Sequence, residues 1–309
     1  MTDNKWNTEK IKNLHDKVII VTGGNSGIGF ESVKELSIKG ASVVMASRSL
    51  VKGEKAKRQI CDQNPNADIK VLELDLSDLS SIKNFVYKFR KVHYKLDILL
   101  NNAGIMLVPY GLTADGFESQ IGTNHLGHFA LTGLLMDTII RTPGSRVVNV
   151  SSIAHKTADL DFENLLYDGE KDYTPMKAYR RSKLANLMFT YELQRKFSSI
   201  KCSSISLAAH PGISMTNLAK HKVGDFMFRV LKPLAGMFIQ NSAMGALPLL
   251  RACVDKKVSG GEYFGPEGKG EKSGYPVQVE STDLARDEEA AKKLWSLSED
   301  LTGIKFVDL

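Results

Sequence analysis

The sequence predicts an α/β protein in which helices cover both faces of a doubly wound parallel sheet. Short apolar runs rich in Val, Ile and Leu, typical of buried strands, alternate with amphipathic segments long enough to form helices. Strands joined by helix-length connections pair in parallel through right-handed crossovers, because a tight turn cannot join parallel neighbours. The 309 residues show no repeat and no low-complexity linker, so we expect one domain over 1–309.

Each element follows from this alternation. The strands are predicted at residues 17–22, 42–46, 69–74, 96–100, 146–150 and 203–209. The helices are predicted at residues 28–39, 52–64, 78–92, 116–138 and 179–196, and Pro65 stops the second of them. Because ligands of doubly wound sheets bind beyond the carboxyl ends of the strands, we expect the functional residues directly after each apolar run.

Composition excludes several other classes of protein. Lys and Arg are mixed with Asp and Glu along the chain despite a formal charge of +6, and no basic stripe predicts nucleic-acid binding. Cys61, Cys202 and Cys253 lack metal-ligand or redox spacing, so we expect reduced thiols and no metal site. The first 17 residues are too polar for a secretory signal, and no apolar run is long enough to cross a bilayer. A cytoplasmic protein is expected.

A glycine-rich turn separates the first predicted strand from the first helix. Its spacing is Gly-x-x-x-Gly-x-Gly, and its position makes a mere flexible surface loop a poor alternative. Glycines allow the turn and let a pyrophosphate approach the backbone, while N–H groups at the helix start face the negative charge. The residues predicted to bind a dinucleotide here are Gly23, Asn25, Ser26, Gly27, Ile28 and Gly29.

Tyr179 and Lys183 form the candidate chemical pair. Residues four apart on a helix lie on the same face, so these two side chains are predicted to point together. A free tyrosine titrates near pH ~10, and a neighbouring cation lowers the cost of ionising it. The same spacing occurs by chance in many helices with an exposed Tyr and a solvated Lys. The glycine turn gives it weight here.

These motifs together resemble the short-chain dehydrogenase/reductase family, whose glycine loop has the same spacing. The resemblance runs from residue 17 to about 264 and is closest to the retinol-dehydrogenase-like members, with support from residues 52–54, 123–129 and 182–186. It implies a Rossmann-type fold and hydride exchange between a nicotinamide and a CH–OH or C=O group. An apolar carbonyl compound or alcohol is the expected substrate.

The resemblance also implies roles for individual residues. Asn124, Ser152, Tyr179 and Lys183 match the catalytic positions, with Tyr179 as the acid/base and Asn124 holding a water that relays protons to the lysine; Ser151 is then structural. The further residues matched to cofactor contacts are Asp75, Leu76, Asn102, Ala103, Gly104, Pro211, Gly212 and Thr216, besides Tyr179 and Lys183 themselves. An N-cap role is the alternative for Asp75, although Ser77 or Asp78 is better placed for it.

Arg48 predicts which nicotinamide cofactor is bound. An acidic residue at the tip of the second strand would bind the adenine ribose hydroxyls of NAD. This chain has Ser47 and Arg48 there, and a guanidinium pairs bidentately with the extra phosphate of NADP. We therefore predict NADP(H), the alternative being an Arg that only caps a loop.

Two segments are predicted to shape the substrate site. Tyr179 lies 27 positions after Ser152, and we expect residues 161–173 to form an inserted loop near the substrate mouth. Residues 213–240 are predicted to form a lid, because residues 226–238 include a set of apolar side chains that is rich in flexible Met. A core helix or a membrane-touching surface is the alternative for this apolar set.

Other functions on the same fold remain open at this point. A nonenzymatic NADP(H)-sensing regulator would bind the cofactor but has no need of the four matched catalytic residues. An epimerase or dehydratase would differ in glycine spacing and have a larger C-terminal domain. The resemblance further implies a homodimer or homotetramer.

Overall fold

The described strands form one sheet. The computed structural model describes residues 5–213 and 240–306. The strands are β1 (Val18–Thr22), β2 (Ser42–Ser47), β3 (Ile69–Glu73), β4 (Ile98–Asn101), β5 (Arg146–Val150), β6 (Ile205–Ala209), β7 (Tyr263–Pro266) and β8 (Pro276–Gln278). Their order in the sheet is β3-β2-β1-β4-β5-β6-β7-β8, and every pairing is parallel except that of β7 with β8.

Helices connect the strands and complete the C-terminal part. They are α1 (Gly27–Ile38), α2 (Leu50–Cys61), α3 (Leu79–Arg90), α4 (Ser119–Ile121), α5 (Gly127–Leu134), α6 (Met136–Arg141), α7 (Pro175–Ser199), α8 (Ser242–Val254), α9 (Asp283–Arg286) and α10 (Glu288–Thr302). Within residues 5–213 and 240–306, no helix combines the length and apolar character needed to cross a membrane.

Different helices cover the two faces of the sheet, which confirms the doubly wound fold. Along β1, Ile19 faces a core that contains Val33 of α1 and Leu249 of α8. Its neighbour Ile20 faces the opposite core, which contains Phe85 of α3. Successive side chains of a strand point to opposite faces, and both faces are buried here. The strands are therefore continuous apolar runs rather than alternating ones.

The predicted helix over residues 116–138 is interrupted. The structure has α4, a π-helical turn at Gly122–Leu126, α5 and α6 in its place. Two glycines let neighbouring segments approach closely. An added Cβ at Gly122 would lie 2.5 Å from Thr113 Cγ2, and one at Gly127 would lie 2.3 Å from the Leu76 carbonyl oxygen. π-Helical turns within α-helices often occur at functional sites, and this one carries Asn124.

The sequence analysis did not predict the strands and helices after β6. β7 and β8 are short and contain Pro and Gly, so they give a weak strand pattern. α10 has clearer signals, because Asp287 caps its first turn and Gly303, at φ +65°, ends it. Its Trp295 packs edge-to-face on Phe129 of α5. α10 thus completes the core on the α7 side of the sheet.

A buried arginine on α7 holds the predicted insertion. The Arg181 side chain is completely buried, and its Nη1 donates to the Asn164 carbonyl oxygen at 2.7 Å. Nη2 pairs with Asp159 at 3.2 Å, and the guanidinium lies 4.4 Å from the Tyr167 ring centroid. Burial of a charge is tolerated when it is paired and hydrogen-bonded in this way. The insertion is therefore fixed to the helix that carries Tyr179.

Candidate active site

The glycine turn between β1 and α1 forms a tight cradle. Gly23 and Gly27 have φ angles of +66° and +57°, a region that L side chains rarely adopt. An added Cβ at Gly29 would lie 2.4 Å from the Gly23 carbonyl oxygen and 2.6 Å from Asn102 Nδ2. Gly23 and Gly27 are therefore favoured by the backbone conformation, and Gly29 by the lack of room for a side chain. This is the close approach that a dinucleotide fold requires.

The start of α1 suits an anionic ligand. Ser26 is the N-cap residue, and among the described residues its side chain caps no helix N–H group. The first turn contains no acidic residue, so the positive end of the helix dipole is not neutralised there. The first N–H groups of α1 and the loop residues Asn25 to Ile28 thus fit the pyrophosphate of a dinucleotide.

The end of β2 lies beside the glycine turn. Ser47 Oγ donates to Asn25 Oδ1 at 3.1 Å, which joins the two loops. Arg48 follows β2 directly; its side chain is exposed, and no hydrogen bond or ion pair links it to another described residue. Its guanidinium is therefore available to a ligand at the cofactor loop.

Asp75 lies in the loop after β3 and is not the cap of the next helix. Asp78 caps α3 by accepting from Ser80 N at 2.8 Å, and the hydrogen bonding with Ser80 lowers the pKa of its carboxyl. Asp75 Oδ1 instead accepts from the backbone N–H and the hydroxyl of Ser77, at 2.9 and 2.6 Å. Leu76 beside it is buried against Gly127. The N-cap alternative for Asp75 is excluded, and its role as an adenine contact stays a prediction.

The residues after β4 are tied to the end of β1. Thr22 Oγ1 accepts from the N–H groups of Asn102 and Ala103, each at 2.9 Å. Asn102 Nδ2 donates to the Thr22 carbonyl oxygen at 2.7 Å. A Cβ at Gly104 would lie 3.0 Å from Asn124 Oδ1 and 3.5 Å from Lys183 Nζ. The absence of a side chain at Gly104 therefore lets the loop after β4 lie close to Asn124 and Lys183.

Asn124 is held by its side chain rather than left free for a water. Its Nδ2 donates to the Ile105 carbonyl oxygen and to Ser182 Oγ, both at 2.9 Å, and its Oδ1 accepts from Ile105 N at 2.8 Å. Both amide protons are used, so any water would be bound through the remaining acceptors of this residue. The structure thus assigns the Asn124 side chain to fixing the loop after β4.

The two serines after β5 differ in their surroundings. Ser151 is buried, and its hydroxyl donates to the Lys183 carbonyl oxygen at 2.8 Å. Ser152 is half-buried and caps the 3₁₀ helix Ile153–Thr157 by accepting from Ala154 N at 3.2 Å. Its side chain is the polar group that lowers the pKa of Tyr179. The serine that faces Tyr179 is the one predicted to be catalytic.

Tyr179 and Lys183 lie on one face of α7, above the end of β5. Lys183 Nζ is 5.8 Å from the Tyr179 ring centroid and donates to the Val150 carbonyl oxygen at 3.0 Å. Asn186 Nδ2, one turn further along α7, donates to the same oxygen at 3.1 Å. The helix is therefore anchored to the carboxyl end of β5 at the point where the lysine emerges.

Burial governs the ionisation of this pair. It raises the pKa of Tyr179 above the ordinary value for a tyrosine, and the hydrogen bond with Ser152 offsets only part of this rise. Burial also lowers the pKa of Lys183 to about 8. Desolvation of the phenol is thus the largest influence on this pKa, and stabilisation of the phenolate by the Lys183 charge stays a prediction. In these surroundings the Tyr179 hydroxyl is protonated at neutral pH.

The turn after β6 lies at the same edge of the sheet. Gly212 has a φ of +65°, and an added Cβ there would lie 2.4 Å from the Lys272 carbonyl oxygen. The Pro211 carbonyl oxygen accepts from Gln240 Nε2. Thr216 and the apolar residues 226–238 of the predicted lid lie outside the described residues.

Comparison with known proteins identifies the family. Residues 17–225 match the profile described as short chain dehydrogenase. The chain belongs to the short-chain dehydrogenase family. Human retinol dehydrogenase 11 is 41% identical over 293 residues, covering 94% of this chain and 87% of the relative. Mouse retinol dehydrogenase 12 is 38% identical over 292 residues, with the same coverage of 94% and 87%. A crystal structure of a Mycobacterium paratuberculosis protein is 40% identical, with a TM-score of 0.82 and coverage of 98% and 99%.

Membership of the short-chain dehydrogenase family establishes an oxidoreductase that acts on alcohol or carbonyl groups with a nicotinamide cofactor. The predicted similarity to retinol dehydrogenases is also confirmed. The glycine cradle and the uncapped start of α1 independently fit the pyrophosphate of such a cofactor.

Thr22 and His128 also belong to this site, although the sequence analysis did not predict them. His128 Nδ1 lies 3.0 Å from the Asn124 carbonyl oxygen, which can only accept, so Nδ1 carries the proton and Nε2 accepts from Thr22 Oγ1 at 2.9 Å. Burial lowers the pKa of His128 to about 4, which keeps the ring neutral. Thr22 and His128 thus link the cofactor loop to Asn124. The spacing of four between Asn124 and His128 was the available signal.

We expect Gly29→Ala to weaken binding of the reduced nicotinamide cofactor at least about tenfold, because the new Cβ would force Gly23 or Asn102 out of the cradle. Fluorescence titration gives the dissociation constant, and a thermal melt shows whether the variant is folded. Gly111→Ala is the control, since its Cβ would meet only Ser119 Oγ, at 3.3 Å. Equal affinity in Gly29→Ala and the wild type would contradict the assignment of the cradle.

Proposed function

We propose that the protein is an NADP(H)-dependent oxidoreductase that transfers a hydride between the nicotinamide and an apolar carbonyl compound or alcohol, with Tyr179 as acid/base. The observation that carries this proposal is the set formed by Ser152, Tyr179 and Lys183. The Ser152 side chain lowers the pKa of the Tyr179 hydroxyl, and Lys183 lies on the same helix face beside Gly104. These are the groups that proton exchange with a substrate oxygen requires.

The cofactor residues in this proposal surround the glycine turn. Gly23, Gly27 and Gly29 hold the pyrophosphate with the start of α1, and Asn102 to Gly104 line the approach to Lys183. When bound, the nicotinamide supplies or accepts the hydride. Asp75 and Leu76 lie toward the adenine end, and Pro211 and Gly212 lie beside the nicotinamide end.

The protein's own residues handle the proton. In reduction, Tyr179 donates its proton to the carbonyl oxygen, and Ser152 donates a hydrogen bond to the same oxygen as negative charge develops there. Lys183 supplies a buried positive charge that stabilises the phenolate left behind. Oxidation of an alcohol reverses each proton transfer. Asn124 keeps the loop after β4 in place next to Lys183.

Arg48 is the basis for preferring NADP(H) over NAD(H). Its exposed guanidinium follows β2 and has no described protein partner, so it is free to pair with a 2′-phosphate. An acidic residue, which would bind the ribose hydroxyls of NAD, is absent from this position.

An apolar substrate is supported by the loop after β4. Residues 105–108 are Ile, Met, Leu and Val, all half-buried, and they directly follow Gly104. Tyr173 of the insertion donates to the Val108 carbonyl oxygen at 2.8 Å and packs edge-to-face on Tyr110. This apolar and aromatic wall fits an apolar compound. The similar proteins are named for retinol, an alcohol with a long apolar chain.

We also propose that the protein has the organisation expected from the sequence. The whole chain acts as one catalytic domain with a lid over residues 213–240, in a cytoplasmic homodimer or homotetramer. Sedimentation velocity of the purified chain measures the oligomeric state.

We expect Tyr179→Phe to bind NADPH with unchanged affinity yet reduce carbonyls at least about a thousandfold more slowly, because the proton donor is lost. Nicotinamide absorbance, followed with a panel of aldehydes, ketones and alcohols, measures turnover. Tyr191→Phe is a matched control, since it removes a tyrosine hydroxyl on the same helix that bonds to Ser281. Unchanged turnover in Tyr179→Phe would remove this residue from the mechanism. Cofactor binding with no turnover of any substrate by the wild type would instead favour a cofactor-sensing regulator.

We expect carbonyl reduction to slow above pH ~8. Burial lowers the pKa of Lys183 to about 8, so its charge is present below this pH and is lost as the pH rises through it. Tyr179, whose pKa is raised, stays protonated over the same window. The measurement is kcat/KM from pH 6 to 10, which should be level at first and then fall about tenfold per unit.

Lys183→Arg is the control for this profile, because a guanidinium keeps its charge throughout the window. Its overall rate should be lower, and the fall near pH 8 should disappear. A wild-type profile that is level up to pH 10 would contradict the role of Lys183.

We expect Arg48→Asp to shift the ratio of kcat/KM for NADPH over NADH by about a hundredfold or more toward NADH. The substitution removes the partner of the 2′-phosphate and adds a group that repels it. Arg180→Asp makes the same charge change on α7, away from β2, and serves as the control. A variant at position 48 that still favours NADPH would refute the cofactor assignment.

A further inference from the structure

Glu271 joins three separate segments at the carboxyl edge of the sheet. It lies in the loop between β7 and β8, and its Oε2 is 3.0 Å from Nε2 of His210, the residue after β6. Its Oε1 forms an ion pair with Lys156, in the 3₁₀ helix that follows Ser152. His210, Lys156 and Glu271 all lie outside the catalytic set proposed above.

Hydrogen-bond geometry fixes the state of His210. Gly212 N donates to His210 Nδ1 at 3.2 Å, so Nδ1 is the acceptor and Nε2 carries the proton. The Nε2–H group therefore donates to the Glu271 carboxylate. Burial lowers the pKa of His210, and hydrogen bonding to His210 holds the pKa of Glu271 at about 2. The neutral His210 ring and the ionised Glu271 carboxylate thus form a series of hydrogen bonds from Glu271 to the backbone of Gly212.

These hydrogen bonds require an uncommon backbone conformation at Glu271 and a glycine at position 265. Glu271 itself has a φ of +56°, an uncommon conformation for a residue other than Gly, Asn or Asp. An added Cβ at Gly265 of β7 would lie 2.0 Å from His210 Nε2. Backbone strain at a non-glycine residue persists only where surrounding contacts impose it. At Glu271, the contacts with His210 and Lys156 hold the backbone in this conformation.

The other arm of Glu271 reaches the Ser152 turn. Ser152 caps the helix Ile153–Thr157 through Ala154 N at 3.2 Å, and His155 Nδ1 donates to the Ser152 carbonyl oxygen at 2.7 Å. Lys156, in the same short helix, is the residue that binds Glu271. The position of Ser152 is thereby coupled to the position of the Pro211–Gly212 turn.

We propose that Glu271 is a positioning residue that fixes the turn at Pro211 and Gly212 relative to Ser152. This rests on the proposed function, in which that turn lies beside the nicotinamide and Ser152 binds the substrate oxygen. Glu271 then sets the separation between the hydride-bearing ring and the carbonyl group. A small error in that separation lowers the rate of the chemical step without weakening the hold on the cofactor's phosphates.

The first test needs no activity. Hydrogen–deuterium exchange of the purified chain is compared for Glu271→Ala, Glu271→Gln and the wild type, in peptides covering residues 151–158 and 207–213. The alanine variant should exchange faster in both peptides. The glutamine variant keeps an acceptor for His210 but loses the charge that holds Lys156, so it should loosen mainly 151–158. Unchanged exchange in both peptides for Glu271→Ala would overturn the proposal.

Glu267→Ala is the matched control, because Glu267 lies in the same loop and pairs with the exposed Lys5. It should leave exchange in both peptides unchanged. Equal loosening by Glu267→Ala and Glu271→Ala would show a general effect of the loop and would also overturn the proposal.

The second test is kinetic. Glu271→Ala should lower kcat about tenfold or more while KM for NADPH stays within about twofold, and Glu267→Ala should change neither. A rise in KM with unchanged kcat would contradict positioning of the reacting groups. If exchange responds as expected but the wild type reduces no carbonyl compound, the proposed function fails while the link through Glu271 stands.

Discussion

The Thr22 hydroxyl connects the cofactor side of the molecule to the catalytic side. It lies at the end of β1, accepts the N–H groups of Asn102 and Ala103, and donates to His128. His128 in turn donates to the carbonyl of Asn124. With two bonds accepted and one donated, this hydroxyl is fully used inside the protein. The glycine turn, the loop after β4 and the π-helical turn therefore have one fixed relative arrangement.

A second anchor holds the helix that bears the reactive groups. The Val150 carbonyl oxygen, at the end of β5, accepts from both Lys183 and Asn186, and Ser151 donates back to the Lys183 carbonyl. Buried polar groups with complete partners specify a unique packing, because any displacement leaves one of them unpaired. Tyr179 is positioned indirectly, by a helix whose next turn cannot move.

The substrate side is assembled from segments that come late or are inserted in the chain. Arg181 attaches the insertion to the outer side of α7, and Tyr173 extends from it to the loop after β4. Glu271 attaches the β7–β8 loop to the turns after β5 and β6. Conserving the sheet while varying these segments would change the substrate site without disturbing the cofactor cradle.

Local patterns in the sequence determined the fold class, the glycine cradle and the pairing of Tyr179 with Lys183. Short apolar runs between helix-length segments, the steric need for glycine and helical spacing are all properties of residues near one another in the chain. The break at the π-helical turn, the short strands β7 and β8, and the roles of His128, Arg181 and Glu271 depended on partners far away in the chain. The raised pKa of Tyr179 also depended on tertiary structure, since desolvation is a property of the packed molecule and not of the residues beside it in sequence.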